Sequence, residues 1–308
     1  MKSRKTNVIH NRGFFAGALL LAASATSAHA APLQFVNFSP ATTGNGIFGG
    51  VVENSEIRFT NVSSDAGVTV DAIVTATVKN LTDFGSGPRG GFGDSGFIPN
   101  YTAGAAEPNN DLGFLFYGNR VNSTENGISL DFRFFDGTGS KAGTFSDSIS
   151  VSELNFAIYD VDGEPSQSEY FRLDKADGLT SYRLGNTPQA LTATDLGSQI
   201  LFEGPGVNFP EDDASGAAVL TFNNTSGFTL DFGAVQTSGP RRNGVFTGFD
   251  GDLSFVNPND FGGSVIVAPV PEIETYAMFI IGLTLLGMKV MRSRKQQDND
   301  QSLSAVAA

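Results

Sequence analysis

The 308-residue chain has no cysteine and no tryptophan, and its two histidines, His10 and His29, both lie near the amino terminus. The missing cysteine excludes disulfides, a thiol nucleophile and any Cys-based zinc site. From residue 31 onward there is no histidine either, so a Ser-His-Asp arrangement is excluded. Stability has to come from an apolar core alone. Basic residues are scarce as well. Residues 31–270 hold 28 Asp and Glu against 11 Lys and Arg, a net charge of −17, because the cations are concentrated at the two ends. Such a body repels nucleic acid and other polyanions, so no nucleic-acid partner is expected, while cations are attracted. An acidic, solubilising surface accounts for the same bias without any ligand.

What the chain does have begins with its ends. Lys2, Arg4, Lys5 and Arg12 precede an apolar stretch at residues 14–23, and Ala28-His29-Ala30 supplies the small residues of a cleavage site. This is the pattern of a secretory signal peptide over residues 1–30, with Ala31 first in the mature chain. Near the other end an apolar run at residues 276–291, interrupted only by Lys289, is preceded by Pro271-Glu272 and followed by Arg292, Arg294 and Lys295. As a helix rising about 1.5 Å per residue it reaches roughly 24 Å, short of the roughly 30 Å hydrocarbon core, so it predicts a marginal transmembrane helix. The basic cluster places its end in the cytoplasm and the body outside. A polar tail, residues 296–308, follows.

This carboxyl-terminal stretch, residues 270–295, resembles the PEP-CTERM sorting signal of Gram-negative bacteria, in which a Pro-Glu-Pro motif precedes a short apolar helix and an arginine-rich end. Pro271 and Glu272 match the first two motif positions, Ile273 stands where the second Pro is usual, and Tyr276, Ala277, Gly282, Arg292, Arg294 and Lys295 fall in the helix and basic end. The resemblance implies recognition by an exosortase-type membrane peptidase, transient residence in the inner membrane, and delivery of the body to the cell surface or extracellular space. A plain membrane anchor is the simpler reading of the same residues.

Between the ends, residues 31–256 are β-rich in residue choice, with Phe, Val, Ile, Thr and Leu alternating with polar residues and Gly, Asn, Asp and Ser punctuating the gaps. In residues 68–78, Val68, Val70, Ala72, Val74, Ala76 and Val78 share one face. In residues 128–135, Ile128, Leu130, Phe132 and Phe134 share one face while Ser129, Asp131 and Arg133 share the other. No long stretch repeats every 3.6 residues. The expected fold is therefore all-β, a sandwich or jelly roll, with Phe, 27 in number, as its main aromatic filler. The Gly-rich residues 83–111 predict a long loop, residues 203–215 a second one ending in Glu211-Asp212-Asp213, and residues 257–270 a linker.

One stretch suggests chemistry. Leu154, Phe156 and Ile158 alternate into the core and deliver Asp160, Asp162 and Glu164 to a strand end, on one side if the alternation persists. Three carboxylates so spaced, with Gly163 relaxing the chain, can hold calcium through oxygen ligands, although Asp-Gly turn chemistry explains them equally. Asp250 with Asp252, and Asp174 with Asp177, repeat the pattern more weakly. The function that fits is an exported, noncatalytic surface or matrix protein associated with extracellular polysaccharide or biofilm. A secreted glycoside hydrolase or lyase working with paired carboxylates is the alternative. The absence of Trp weighs against sugar platforms in both, and a single short span argues against a transporter.

Overall fold

The computed structural model describes residues 32–40, 55–79, 96–101, 110–117, 125–236, 244–253 and 256–268. The stretches expected as a signal peptide, with Ala28, Ala30 and Ala31, and as a sorting signal with its tail lie outside these residues, as do Phe84 and Phe92. Among the described residues there is no α-helix, and the strands in chain order are β1 (Phe38–Pro40), β2 (Ser55–Asp65), β3 (Val68–Lys79), β4 (Gly96–Tyr101), β5 (Asp111–Tyr117), β6 (Glu125–Asp136), β7 (Val151–Tyr159), β8 (Gly163–Glu164), β9 (Gln167–Asp174), β10 (Leu179–Leu184), β11 (Thr192–Asp195), β12 (Gln199–Glu203), β13 (Ala218–Thr225), β14 (Gly227–Gln236), β15 (Gly244–Asp250) and β16 (Val265–Ile266). They form two antiparallel sheets. One runs β1-β2-β3-β6-β14-β9-β12-β11, with β8 beside β9, and the other β16-β10-β13-β7-β15-β5-β4.

The alternation read in the sequence sets which face each strand buries. Val70, Ala72, Val74 and Ala76 of β3 and Ile128, Leu130, Phe132 and Phe134 of β6 point into one core with Leu154, Phe156 and Ile158 of β7. Phenyl rings join the sheets across it. Phe228 of β14 stacks on Phe156 and Phe222 of the opposite sheet at 5.0 and 4.8 Å between centroids, and Phe132 meets Phe249 edge-on at 5.5 Å. A chain without disulfides is thus held by a filled aromatic interior, in which such pairs contribute beyond their buried area.

Two expectations are corrected. The stretch at residues 83–111 contains a strand, β4, whose Phe97 is fully buried edge-on against Phe114 at 5.1 Å. The Gly-rich residues before it hid a six-residue strand. The stretch at residues 257–270, expected as a linker, is docked through residue 268: β16 pairs with β10, Phe261 bridges to Gly185, and Phe261 and Val267 are buried. Phe261 belongs to a second apolar cluster, with Ala157, Tyr159, Ala217 and Val219, that covers the outer face of the second sheet.

The other sheet carries its own buried carboxylate. Asp71 of β3 is fully buried on the face away from the core and accepts from the backbone N–H groups of Asn61 and Gly143, at 2.8 and 2.7 Å. Asn61 lies at a register shift of β2 with φ near 54°, so the Asp71 carboxylate ties that irregularity to the turn around Gly139–Lys141. At this turn Lys141 pairs with Asp136 at 2.6 Å, and its hydrogen bond holds the Asp136 carboxyl down at about 2.

Candidate functional site

Acidic side chains gather where β5, β7 and β15 meet the loops at one end of the second sheet. β7 ends at Tyr159, and the next residue, Asp160, has φ near 60°, a left-handed conformation uncommon for a residue with a Cβ. The strand alternation therefore stops before the carboxylates begin. Val161 turns into the core, and Asp162 is buried, accepting from the backbone N–H of Phe209 at 2.6 Å and from that of Gly163. Glu164 accepts instead from the Ser166 hydroxyl at 2.8 Å. Asp162 and Glu164 are neighbours in sequence but take different partners. Among the described residues no group of three or more acidic, His or Cys side chains converges to hold a metal ion. The alternation that would have put the three carboxylates on one side does not continue past residue 159.

What the fold does assemble is a proton-binding cluster. The Tyr159 ring runs to Asp111 of β5, its hydroxyl donating to Oδ2 at 2.9 Å. Next to it the Asn110 amide donates to Asp252 at 2.6 Å, and the Asp252 backbone N–H donates to Asp250 at 2.9 Å. Burial, then the charge of Asp111 and the hydrogen-bonded Asp252, pushes the Asp250 carboxyl up to about 8. Burial, then the charges of Asp162 and Glu211, pushes Asp160 up to about 7. Glu169 of β9 is held well above the carboxylate range by burial first and then by Asp162 and Asp160. Tyr101 of β4 donates to Glu211 at 2.6 Å, and burial together with that carboxylate raises its phenol above the usual range.

Glu211 belongs to the loop at residues 204–216, which has a second role. Its neighbours Pro210, Asp212, Asp213 and Ala214, with Asn186, Thr187, Asn259 and Asp260, line a polar cleft of about 390 Å³. The walls are tied together. The Asn186 backbone N–H donates to the Asp260 carbonyl at 2.7 Å, Asp213 caps the turn at Ala214–Gly216 by accepting from the Ser215 backbone N–H at 2.8 Å, and the Thr187 and Ser215 hydroxyls meet at 2.9 Å. Gly185 is required here, because a Cβ would collide with the Ala214 carbonyl. The sequence pointed to Asp212 and Asp213 but gave no sign that residues 186–187 and 259–260 would meet them. That meeting depends on the docking of residues 256–268. Asp111 and Glu169 were likewise missed, since a lone carboxylate beside a strand end reads as solvated.

No protein-family model matches the sequence, and neither does any curated protein. Among solved structures, the N-terminal domain of the Streptococcus gordonii adhesin Sgo0707 is similar with a TM-score of 0.44 at 13% identity, over 73% of this chain and 61% of that one. The glucan-binding protein C of Streptococcus mutans is similar with a TM-score of 0.35 at 9% identity, over 73% of this chain and 64% of that one. The chain thus spans less than two thirds of the length of both.

Proposed function

We propose that this is an exported, noncatalytic protein of the cell surface or extracellular matrix that associates with polysaccharide, delivered by its PEP-CTERM-like segment. The observation that carries the noncatalytic reading is the separation of proton donors from the cleft. Glycoside hydrolysis with paired carboxylates needs one carboxyl that keeps its proton near neutral pH and faces the substrate. Among the described residues the carboxyls raised above their ordinary value are Asp160, Asp162, Glu169, Asp177 and Asp250, and none of them lines the cleft. The expected outcome of mixing the protein with the producing cells' extracellular polysaccharide is cosedimentation without new reducing ends. Release of reducing ends would overturn the noncatalytic reading in favour of the hydrolase, and failure to cosediment would overturn the polysaccharide association.

Sorting has a separate test. A span of about 24 Å is mismatched to the bilayer at a fraction of a kcal/mol per Å, so it suits temporary residence. A proline disfavours helix in the residue before it, which would leave an extended site open to a peptidase on the outer side of Pro271. Replacing Pro271-Glu272 with Ala-Ala should leave the protein in the membrane fraction, while the native chain reaches the surface without its helix. An intact peptide covering residues 273–292 in the surface fraction of the native protein would show the tail to be a permanent anchor.

A further inference from the structure

We infer that the polar cleft formed by residues 186–187, 210–214 and 259–260 binds saccharide units that carry a free amine, of the glucosamine type. The inference rests on the polysaccharide reading above and narrows it to a chemical class. The lining combines three functions that such a unit needs together. Asp212, Asp213 and Asp260 offer carboxylates, with no Lys or Arg lining the cleft, so an ammonium is favoured and a uronate or phosphate is repelled. Asn186, Asn259 and Thr187 offer amide and hydroxyl groups that both donate and accept, as ring hydroxyls do. Pro210 and Ala214 give small apolar surfaces for the C–H face of a ring.

The volume, about 390 Å³, falls within the range of small-ligand sites. The hydrogen bonds that join the 186–187, 213–215 and 260 backbones fix the walls before a ligand arrives, which lowers the ordering cost of binding. Glu211, within the 210–214 segment, is itself anchored by the Tyr101 hydroxyl at 2.6 Å. A basic peptide would satisfy the carboxylates and, through its backbone, the Asn and Thr groups as well, so the polysaccharide reading selects the sugar and oligolysine is the arm that separates the two. The net charge of −17 over residues 31–270 draws a polycationic chain toward the body from a distance.

The test is calorimetric titration of the mature protein, at mildly acidic pH, with glucosamine oligosaccharides, their N-acetylated counterparts of the same length, and oligolysine of the same charge. The expected result is salt-sensitive binding of the glucosamine oligomer, at least tenfold tighter than its N-acetylated form. Asp212→Asn with Asp260→Asn, two exposed side chains whose replacement should leave the melting temperature unchanged, should weaken it about tenfold. Equal binding of the N-acetylated form overturns the amine assignment while leaving the polysaccharide reading intact. Oligolysine that binds as tightly and is lost in the same double variant overturns the saccharide assignment. If no oligomer binds, the inference fails, whereas the broader reading falls only if the native polysaccharide also fails to cosediment.

Discussion

Raising the pH from about 6 to about 9 is expected to lower the melting temperature of the mature protein by roughly 10 °C. Asp160 and Asp250 hold their protons up to about 7 and about 8 in the folded protein, against 3.8 for an ordinary Asp. The folded state therefore binds more protons than the unfolded state between those limits. Their stabilising contribution is complete below about pH 4 and is lost as pH rises through 7 and then 8. Between pH 6 and pH 9 the loss spans about one unit for Asp160 and about two for Asp250, together roughly 4 kcal/mol, and in a body of this size each kcal/mol moves Tm by about 2–4 °C. Exposed carboxylates have finished ionising by about pH 6, so the fall above that point isolates the buried groups. Asp160→Asn and Asp250→Asn should each flatten one part of the profile, because an amide cannot ionise. A Tm that stays level or rises from pH 6 to pH 9 would sink the assignment.

The alternation that made the fold legible also explains why the site was not. A strand's period of two needs only its own residues, so the core faces of β3 and β6 could be read directly: Val70, Ala72, Val74 and Ala76, and Ile128, Leu130, Phe132 and Phe134, are all buried as their spacing predicts. Two-residue strands such as β8 and β16 have too few positions to show a period, and β4 sits behind a run of glycines. The cluster fails to appear in the sequence for a different reason. Asp111, Asp160, Glu169 and Asp250 come from β5, the β7 end, β9 and β15, joined only by strand order across two sheets. The spacing of Asp160 to Asp162 points to a neighbour that does act on it, but its burial and the charge of Glu211, 51 residues further on, leave no trace in that spacing.

The largest single-residue effect is expected at Gly248, where β15 passes beneath Tyr159. Gly248 pairs with Tyr159 on one side and with Gly113 of β5 on the other, so two glycines lie abreast on the outer face of the second sheet. The fully buried Tyr159 ring uses the room at Gly248 to cross to Asp111, while Phe246 fills the room at Gly113. A Cβ at Gly248 would fall on the Tyr159 ring. The ring cannot slide away, because β7 is fixed between β13 and β15 and the hydroxyl must reach Asp111. Overpacking costs about 1–3 kcal/mol, and leaving the buried Asp111 carboxyl without its phenol adds about as much. Gly248→Ala should thus cost roughly 3–5 kcal/mol, or prevent folding at physiological temperature. A double-mutant cycle identifies the cause. In a Tyr159→Ala background, itself destabilised by about 3–5 kcal/mol, the same Gly248→Ala change should cost under about 1 kcal/mol, since the space it needs is then empty. If denaturant titration gives the same penalty with and without the Tyr159 ring, Gly248 is required for its backbone and not for the passage of Tyr159.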